Sequence, residues 1–158
     1  MPRSSLLITG EISRNTSFER GFPFQYAEKP HNGDDDEKNM NLVPDRLVKD
    51  DQAIVVNIRN EGLVIITGCG HAGIINTINY AKQVTGIEKV YAVVGGFHLP
   101  ADRGVFEGAI DPTLKELQKI DCNYIIPCHC TGWKATAKII DLMPYKFIQS
   151  AVCTTFTF

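Results

Sequence analysis

The sequence has no long hydrophobic run. Its apolar stretches are short, such as Leu63-Val64-Ile65-Ile66, whereas a membrane-spanning helix needs about 20 consecutive apolar residues. A dominant sign of charge is also missing. Sixteen basic residues against eighteen acidic ones give a formal net charge of −2, which leaves no basic footprint for nucleic acid or an anionic membrane surface. Cysteine is sparse for a disulfide scaffold, and the count of five is odd, so a reducing cytoplasm is the expected compartment. The first ten residues carry one Arg and only Leu6 to Ile8 as an apolar centre, too little for a secretory leader. No internal repeat is evident. What is present is ordinary for a globular chain: 158 residues, 44% hydrophobic and 22% charged. These values exclude wholesale disorder, and the length suffices for one domain with a real core.

The chain divides into two regions of different character. Residues 27–51 contain two prolines, few large apolar side chains and the run Lys29-Pro30-His31-Asn32-Gly33-Asp34-Asp35-Asp36-Glu37-Lys38. That composition predicts a solvated polar loop or lid. The acidic run from Asp34 to Glu37 lacks the spacing and glycine of an EF-hand and reads as a hydrated loop tip. From Gln52 onward the pattern is regular. Residues 52–58 and 63–67 read as strands joined at Arg59-Asn60-Glu61-Gly62, an antiparallel hairpin. After a glycine-rich turn at 68–73, Ile74, Ile75, Ile78, Ala81 and Val84 recur at helical spacing, and Gly86 stands where a cap would stop the helix. Residues 89–94 read as a strand, and Asp111-Pro112 as a helix start. Leu114, Leu117 and Ile120 supply that helix's apolar face. Residues 123–126 read as a strand, 127–132 as a loop, 133–142 as a helix and 147–158 as one or two closing strands. Alternating strands and helices after a hairpin predict an α/β class, with a sheet covered by helices on at least one face. In such folds ligands bind on loops at the carboxyl ends of the strands.

Three of the four histidines occupy such loops. His71 lies in Gly-Cys-Gly-His-Ala-Gly, His98 in Gly-Gly-Phe-His-Leu and His129 in Pro-Cys-His-Cys-Thr-Gly. A single histidine is ordinarily a packed or surface residue. Three at equivalent strand ends converge if the strands are neighbours, and imidazole is a common ligand of zinc, iron and nickel. Two other chemistries compete. Gly68-Cys69-Gly70-His71-Ala72-Gly73 matches the dinucleotide fingerprint G-x-G-x-x-G. However, the next strand ends Val94-Gly95-Gly96-Phe97 without the acid that would bind a ribose. Cys69 could instead act as a nucleophile, because a helix N-terminus lowers a thiol's pKa and His71 is two residues away. No Arg follows Cys69 or Cys128 at the spacing of a cysteine phosphatase loop. Cys128 and Cys130 flank His129 and offer soft donors, but neighbouring side chains on an extended segment point opposite ways. Cys122 and Cys153 read as buried free cysteines.

Taken together, these loops resemble the metallo-β-lactamase superfamily, and within it the branch of dihydropterin-related ribofuranosyl phosphate synthases. The matching stretches are Ile8-Thr9-Gly10-Glu11-Ile12, Phe18-Glu19, Asp50-Asp51-Gln52-Ala53, residues 62–74, 93–99 and 127–132. The blocks Gly-Cys-Gly-His-Ala-Gly-Ile and His-Cys-Thr-Gly are specific as a pair. The resemblance implies an αββα sandwich with a site for divalent metal, zinc first and iron or manganese next. In that family metal activates water for hydrolysis of esters, amides or phosphoesters. It further implies His71 and His129 as metal ligands, with Cys69, His98 and Thr131 facing the substrate or supporting those ligands.

The superfamily's main signature, His-x-His-x-Asp-His, is absent from the 158 residues. It belongs to the N-terminal half of the fold, so the resemblance implies a C-terminal half. The expectation is a single partial domain over 1–158, with a mixed sheet and helices packed on one face. Half a sandwich leaves an apolar sheet face open. The expected partners are therefore a second copy of the chain or a complementary N-terminal-half chain, plus a small-molecule substrate if the site is active. Little or no hydrolase activity is expected of the chain alone. The alternative is a non-catalytic oligomeric module that binds a small ligand or partner.

Overall fold

The computed structural model describes residues 6–22, 25–28, 42–100 and 104–158. A five-stranded mixed sheet has the order β1-β4-β5-β6-β7, with β1 at Leu6–Ile8, β4 at Ala53–Ile58, β5 at Gly62–Thr67, β6 at Val90–Gly95 and β7 at Tyr124–Pro127. The pairs β1·β4 and β4·β5 are antiparallel, and β5·β6 and β6·β7 are parallel. The expected hairpin is present, and its turn places Asn60 and Gly62 at positive φ. Among the described residues three helices complete the layer: α1 at Ile74–Thr85, α2 at Gly104–Ile120 and α3 at Trp133–Leu142. No helix among the described residues is long and apolar enough to cross a membrane.

Register explains which face the helices cover. Leu7, Val55, Ile65, Val93 and Ile125 form one row across the five strands. The last four are fully buried, in one core with Ile74, Ile78, Ile110, Leu114, Leu117 and Ile139 of the helices. Each such side chain contributes about 1.5–3 kcal/mol by leaving water. Strands β5 and β6 run in parallel through α1, and β6 and β7 through α2. Right-handed crossovers in one direction along a sheet put both helices on one side. Helix α1 ends as its sequence predicts: Gly86 takes a left-handed conformation and its N–H reaches the Lys82 carbonyl at 2.8 Å.

Three expectations are corrected. Helix α2 begins at Gly104, so Asp111-Pro112 lies in its interior rather than at its start. The apolar residues Phe106, Ala109 and Ile110 are buried on the turns before Pro112, and their burial outweighs the proline's lost hydrogen bond. Beyond α3, Phe147 makes only an isolated parallel bridge with Ile125, and the remaining residues form no strand. The polar region is not all loop. Tyr26–Glu28 (β2) and Leu42–Pro44 (β3) pair as an antiparallel ribbon, because their short apolar segments satisfy each other's backbone groups. His31 and the acidic run at 34–37 lie outside the described residues.

Candidate metal centre

The three histidine loops leave adjacent strands at one edge of the sheet, so the condition for their convergence is met. Backbone hydrogen bonds continue the pairing beyond the strand ends. Gly96 N–H donates to the Gly68 carbonyl (2.8 Å), Cys128 N–H to Gly95 (2.8 Å) and Leu99 N–H to Cys130 (3.2 Å). The hydroxyl of Thr67 donates to the Gly96 carbonyl at 3.0 Å. Glycine is required for this close approach: a Cβ on Gly96 would collide with the Cys130 sulfur and crowd the backbone of Gly68 and Cys69. Gly70, at φ +69, sits equally close to the Gly96 carbonyl.

The first loop is held from below by a buried polar network. Glu19, only 8% exposed, accepts hydrogen bonds from the N–H groups of Ile75 and Asn76, both at 2.8 Å, and from the Thr16 hydroxyl at 3.0 Å. It satisfies donors that the start of α1 leaves open, where Gly73 offers no side-chain cap. Burial pushes the Glu19 carboxyl above its ordinary range, against the pull of those hydrogen bonds. Asn76 Oδ1 accepts from the N–H groups of Asn15 and Thr16, and Asp51 Oδ2 accepts from Ala72 N–H at 2.7 Å. Arg14 donates to the His71 carbonyl at 2.6 Å. Residues 14–19 and Asp51 thus fasten the loop that carries Cys69 and His71.

The loop after β7 departs from expectation. Residues His129–Thr131 form a 3₁₀ turn closed by Thr131 N–H on the Cys128 carbonyl, with Gly132 at φ 80 ending it. On an extended segment His129 and Cys130 would diverge; the turn brings both to Cys69. Cys69 Sγ and His129 Nε2 share a hydrogen bond of 3.1 Å. The Cys130 thiol donates to the Cys69 carbonyl at 3.0 Å. The two sulfurs and an imidazole nitrogen lie within 4.8 Å of one another. Burial, first of all, raises the Cys130 thiol to about 12.

The other two loop histidines lie together elsewhere in the loop cluster. His71 and His98 meet edge to face with ring centres 4.5 Å apart. Phe22 stacks on His71 at 5.5 Å and meets His98 edge-on at 4.9 Å, and Phe106 closes on His98 at 4.8 Å. His98 holds a left-handed backbone, φ 46, a conformation that persists only where its surroundings enforce it. Thr131 is buried, and its hydroxyl accepts the Phe97 N–H at 3.2 Å, joining two of the loops. Among the free cysteines, Cys122 is buried as expected, whereas Cys153 is exposed. The sequence offers Cys130 as a soft donor but, read as extended, turns it away from His129; the signal for the turn was Gly132 closing a short Cys-His-Cys-Thr run.

A helix-backed mixed sheet with its candidate donors on loops at the ends of neighbouring strands matches a solved architecture. The structure of Tm1679, a metal-dependent hydrolase of the β-lactamase superfamily, superposes with a TM-score of 0.69 and 26% sequence identity, covering 95% of this chain and 51% of that one. The fold is the metallo-β-lactamase fold. It is 38% identical over 111 residues to 7,8-dihydropterin-6-methyl-4-(beta-D-ribofuranosyl)-aminobenzene-5'-phosphate synthase of Methanocaldococcus jannaschii, a match spanning 70% of this chain and 36% of that protein. An uncharacterized protein of the same organism is 39% identical over 84 residues, 53% of this chain and 30% of the relative. The chain therefore spans about a third of the length of these curated relatives. No protein-family model matches it. The superfamily implies a divalent metal, and two thiols beside an imidazole are a chemically suitable donor set for one.

Proposed function

We propose that this chain is the C-terminal half of a metal-dependent hydrolase-type domain, inactive alone and completed by polypeptide carrying the His-x-His-x-Asp-His segment. The observation that supports this reading most directly is the convergence of three donor-bearing loops at one sheet edge, in a fold that covers about half of a known metal-dependent hydrolase. In the completed site His71 and His129 bind metal, with further ligands from the other half, and His98 lines the pocket. Zinc is the favoured ion, since imidazole and thiol donors suit it better than they suit manganese. The ion, when bound, supplies electrophilic activation of the substrate and of a water molecule. The chain's own residues position it. Thr131 and Gly96 hold the loops at their spacing, and Glu19 and Asp51 anchor the Cys69–His71 turn.

The open face of the sheet supports the same reading. Ile8, Ile54, Ile66, Val94 and Ile126 form a second apolar row, opposite the helices. Ile8 is 59% exposed, Ile54 39% and Ile66 38%. A strand such as Leu63-Val64-Ile65-Ile66, apolar on both faces, belongs between two layers. The test is co-expression with a metallo-β-lactamase N-terminal half that carries the missing motif. The chain alone is expected to leave a panel of esters and phosphodiesters intact. The complex is expected to hydrolyse at least one, and His129→Ala to abolish this. Absence of both association and activity overturns the proposal.

A further inference from the structure

We propose that Cys69, His129 and Cys130 form a soft-metal site belonging to this chain alone, holding one ion through two sulfurs and one imidazole without His71. The site shares His129 with the proposed hydrolase centre but does not depend on that centre being completed.

Geometry carries the inference. With Zn–S near 2.3 Å and Zn–N near 2.0–2.1 Å, tetrahedral donors stand about 3.5–3.8 Å apart. Here Cys69 Sγ and His129 Nε2 are 3.1 Å apart, and all three donor atoms lie within 4.8 Å. Closing them on an ion changes these separations by about 1 Å or less. The backbone is already set. The 3₁₀ turn presents His129 and Cys130 together, and the Leu99–Cys130 and Gly96–Gly68 hydrogen bonds keep the three loops abreast. Gly96 leaves room for the Cys130 sulfur that any larger residue would take. Neither cysteine is in a disulfide, and both are half-buried while His129 is exposed. An ion would thus enter from the solvent side and keep a fourth position open there. Two sulfurs and an imidazole select zinc, ferrous iron or cuprous copper over magnesium or manganese.

Cobalt(II) is the probe, because thiolate ligation gives a sulfur-to-cobalt charge-transfer absorption that histidine ligation lacks. Stripped, reduced protein is titrated with cobalt and then with zinc, and metal per chain is measured by elemental analysis. About one ion per chain is expected, with the charge-transfer band displaced by zinc. Cys69→Ser and Cys130→Ser are each expected to weaken binding at least tenfold, and His71→Ala to leave both stoichiometry and band unchanged. In the unsubstituted chain, bound zinc should slow alkylation of Cys69 and Cys130 but not of Cys153, a readout that needs no variant to fold. Failure of the chain to bind either ion overturns the inference. So does binding that survives in folded Cys130→Ser but is lost in His71→Ala; that pattern leaves the histidine-based hydrolase reading standing.

Discussion

Glu19 caps a helix from 56 residues away, reaching the Ile75 N–H across the chain. Removing it leaves two buried amide donors of α1 without partners, each a loss of about 1–3 kcal/mol. Glu19→Ala is therefore expected to lower unfolding stability by about 2–4 kcal/mol in urea titrations at neutral pH. The carboxyl also makes stability depend on pH. Burial raises it above the ordinary 4.5, so the folded chain holds this proton more tightly than the unfolded one. Its linkage contribution is complete below 4.5 and is lost as pH rises through the folded value. The urea midpoint should accordingly fall across that window, and the fall should flatten in Glu19→Ala. Thiol chemistry at the residue scale is equally uneven. Cys122 is fully buried with its thiol raised to about 11, while Cys153 is exposed. Mass-mapped alkylation at neutral pH should label Cys153 early and Cys122 only on unfolding.

At the scale of elements, α2 contains an internal contradiction. Pro112 lies in the ninth position of the helix that begins at Gly104, where it can donate no hydrogen bond to the Gly108 carbonyl and its ring crowds that group. The helix persists because Phe106, Ala109, Ile110, Leu114 and Leu117 are all buried. Pro112→Ala should raise stability by about 1–3 kcal/mol, seen as a higher urea midpoint with an unchanged slope. The opposite result, a loss, would mean that a proline bend aims the first turns of α2 at the core. Leu114→Ala, on the same helix, removes a side chain 1% exposed and is expected to cost about 2–5 kcal/mol. Surface ion pairs from α3 to α2, Lys134 with Glu107 and Lys138 with Asp111, contribute little beside this.

For the whole molecule the decisive feature is a sheet with helices on one side and an apolar row on the other. Phe158 packs against Tyr91 and Tyr124 at 5.8 Å and 6.4 Å, so the C-terminal segment shields one end of the open face around Tyr124. Around Ile8, Ile54 and Ile66 the face stays exposed. An Ile54→Lys, Ile66→Lys double variant should keep its fold, because both side chains already meet solvent. It should also lose association with a second copy or with a complementary half, as read by light scattering. A wild-type chain as monomeric as the double variant, alone and with that half, would remove the case for a covering layer.

Much of this was legible in the residues. Alternation from Gln52, the glycine stop after α1 and strand-end histidines are local signals, written in spacing that backbone geometry obeys. Those signals determined the α/β class, the hairpin, α1, α3 and the placement of His71, His98 and His129 on loops that follow strands, whereas the adjacency of those strands came with the sheet order. Only the tertiary structure decided how the loops meet. The turn at His129–Thr131 joins Cys130 and His129 to Cys69, while aromatic packing holds His71 and His98 against Phe22. It also extended α2 through Pro112 and left residues 148–158 without a strand. The physical reason is the same in each case. These outcomes depend on contacts between residues distant in sequence, whose burial and hydrogen bonding outweigh the local preference of any one segment.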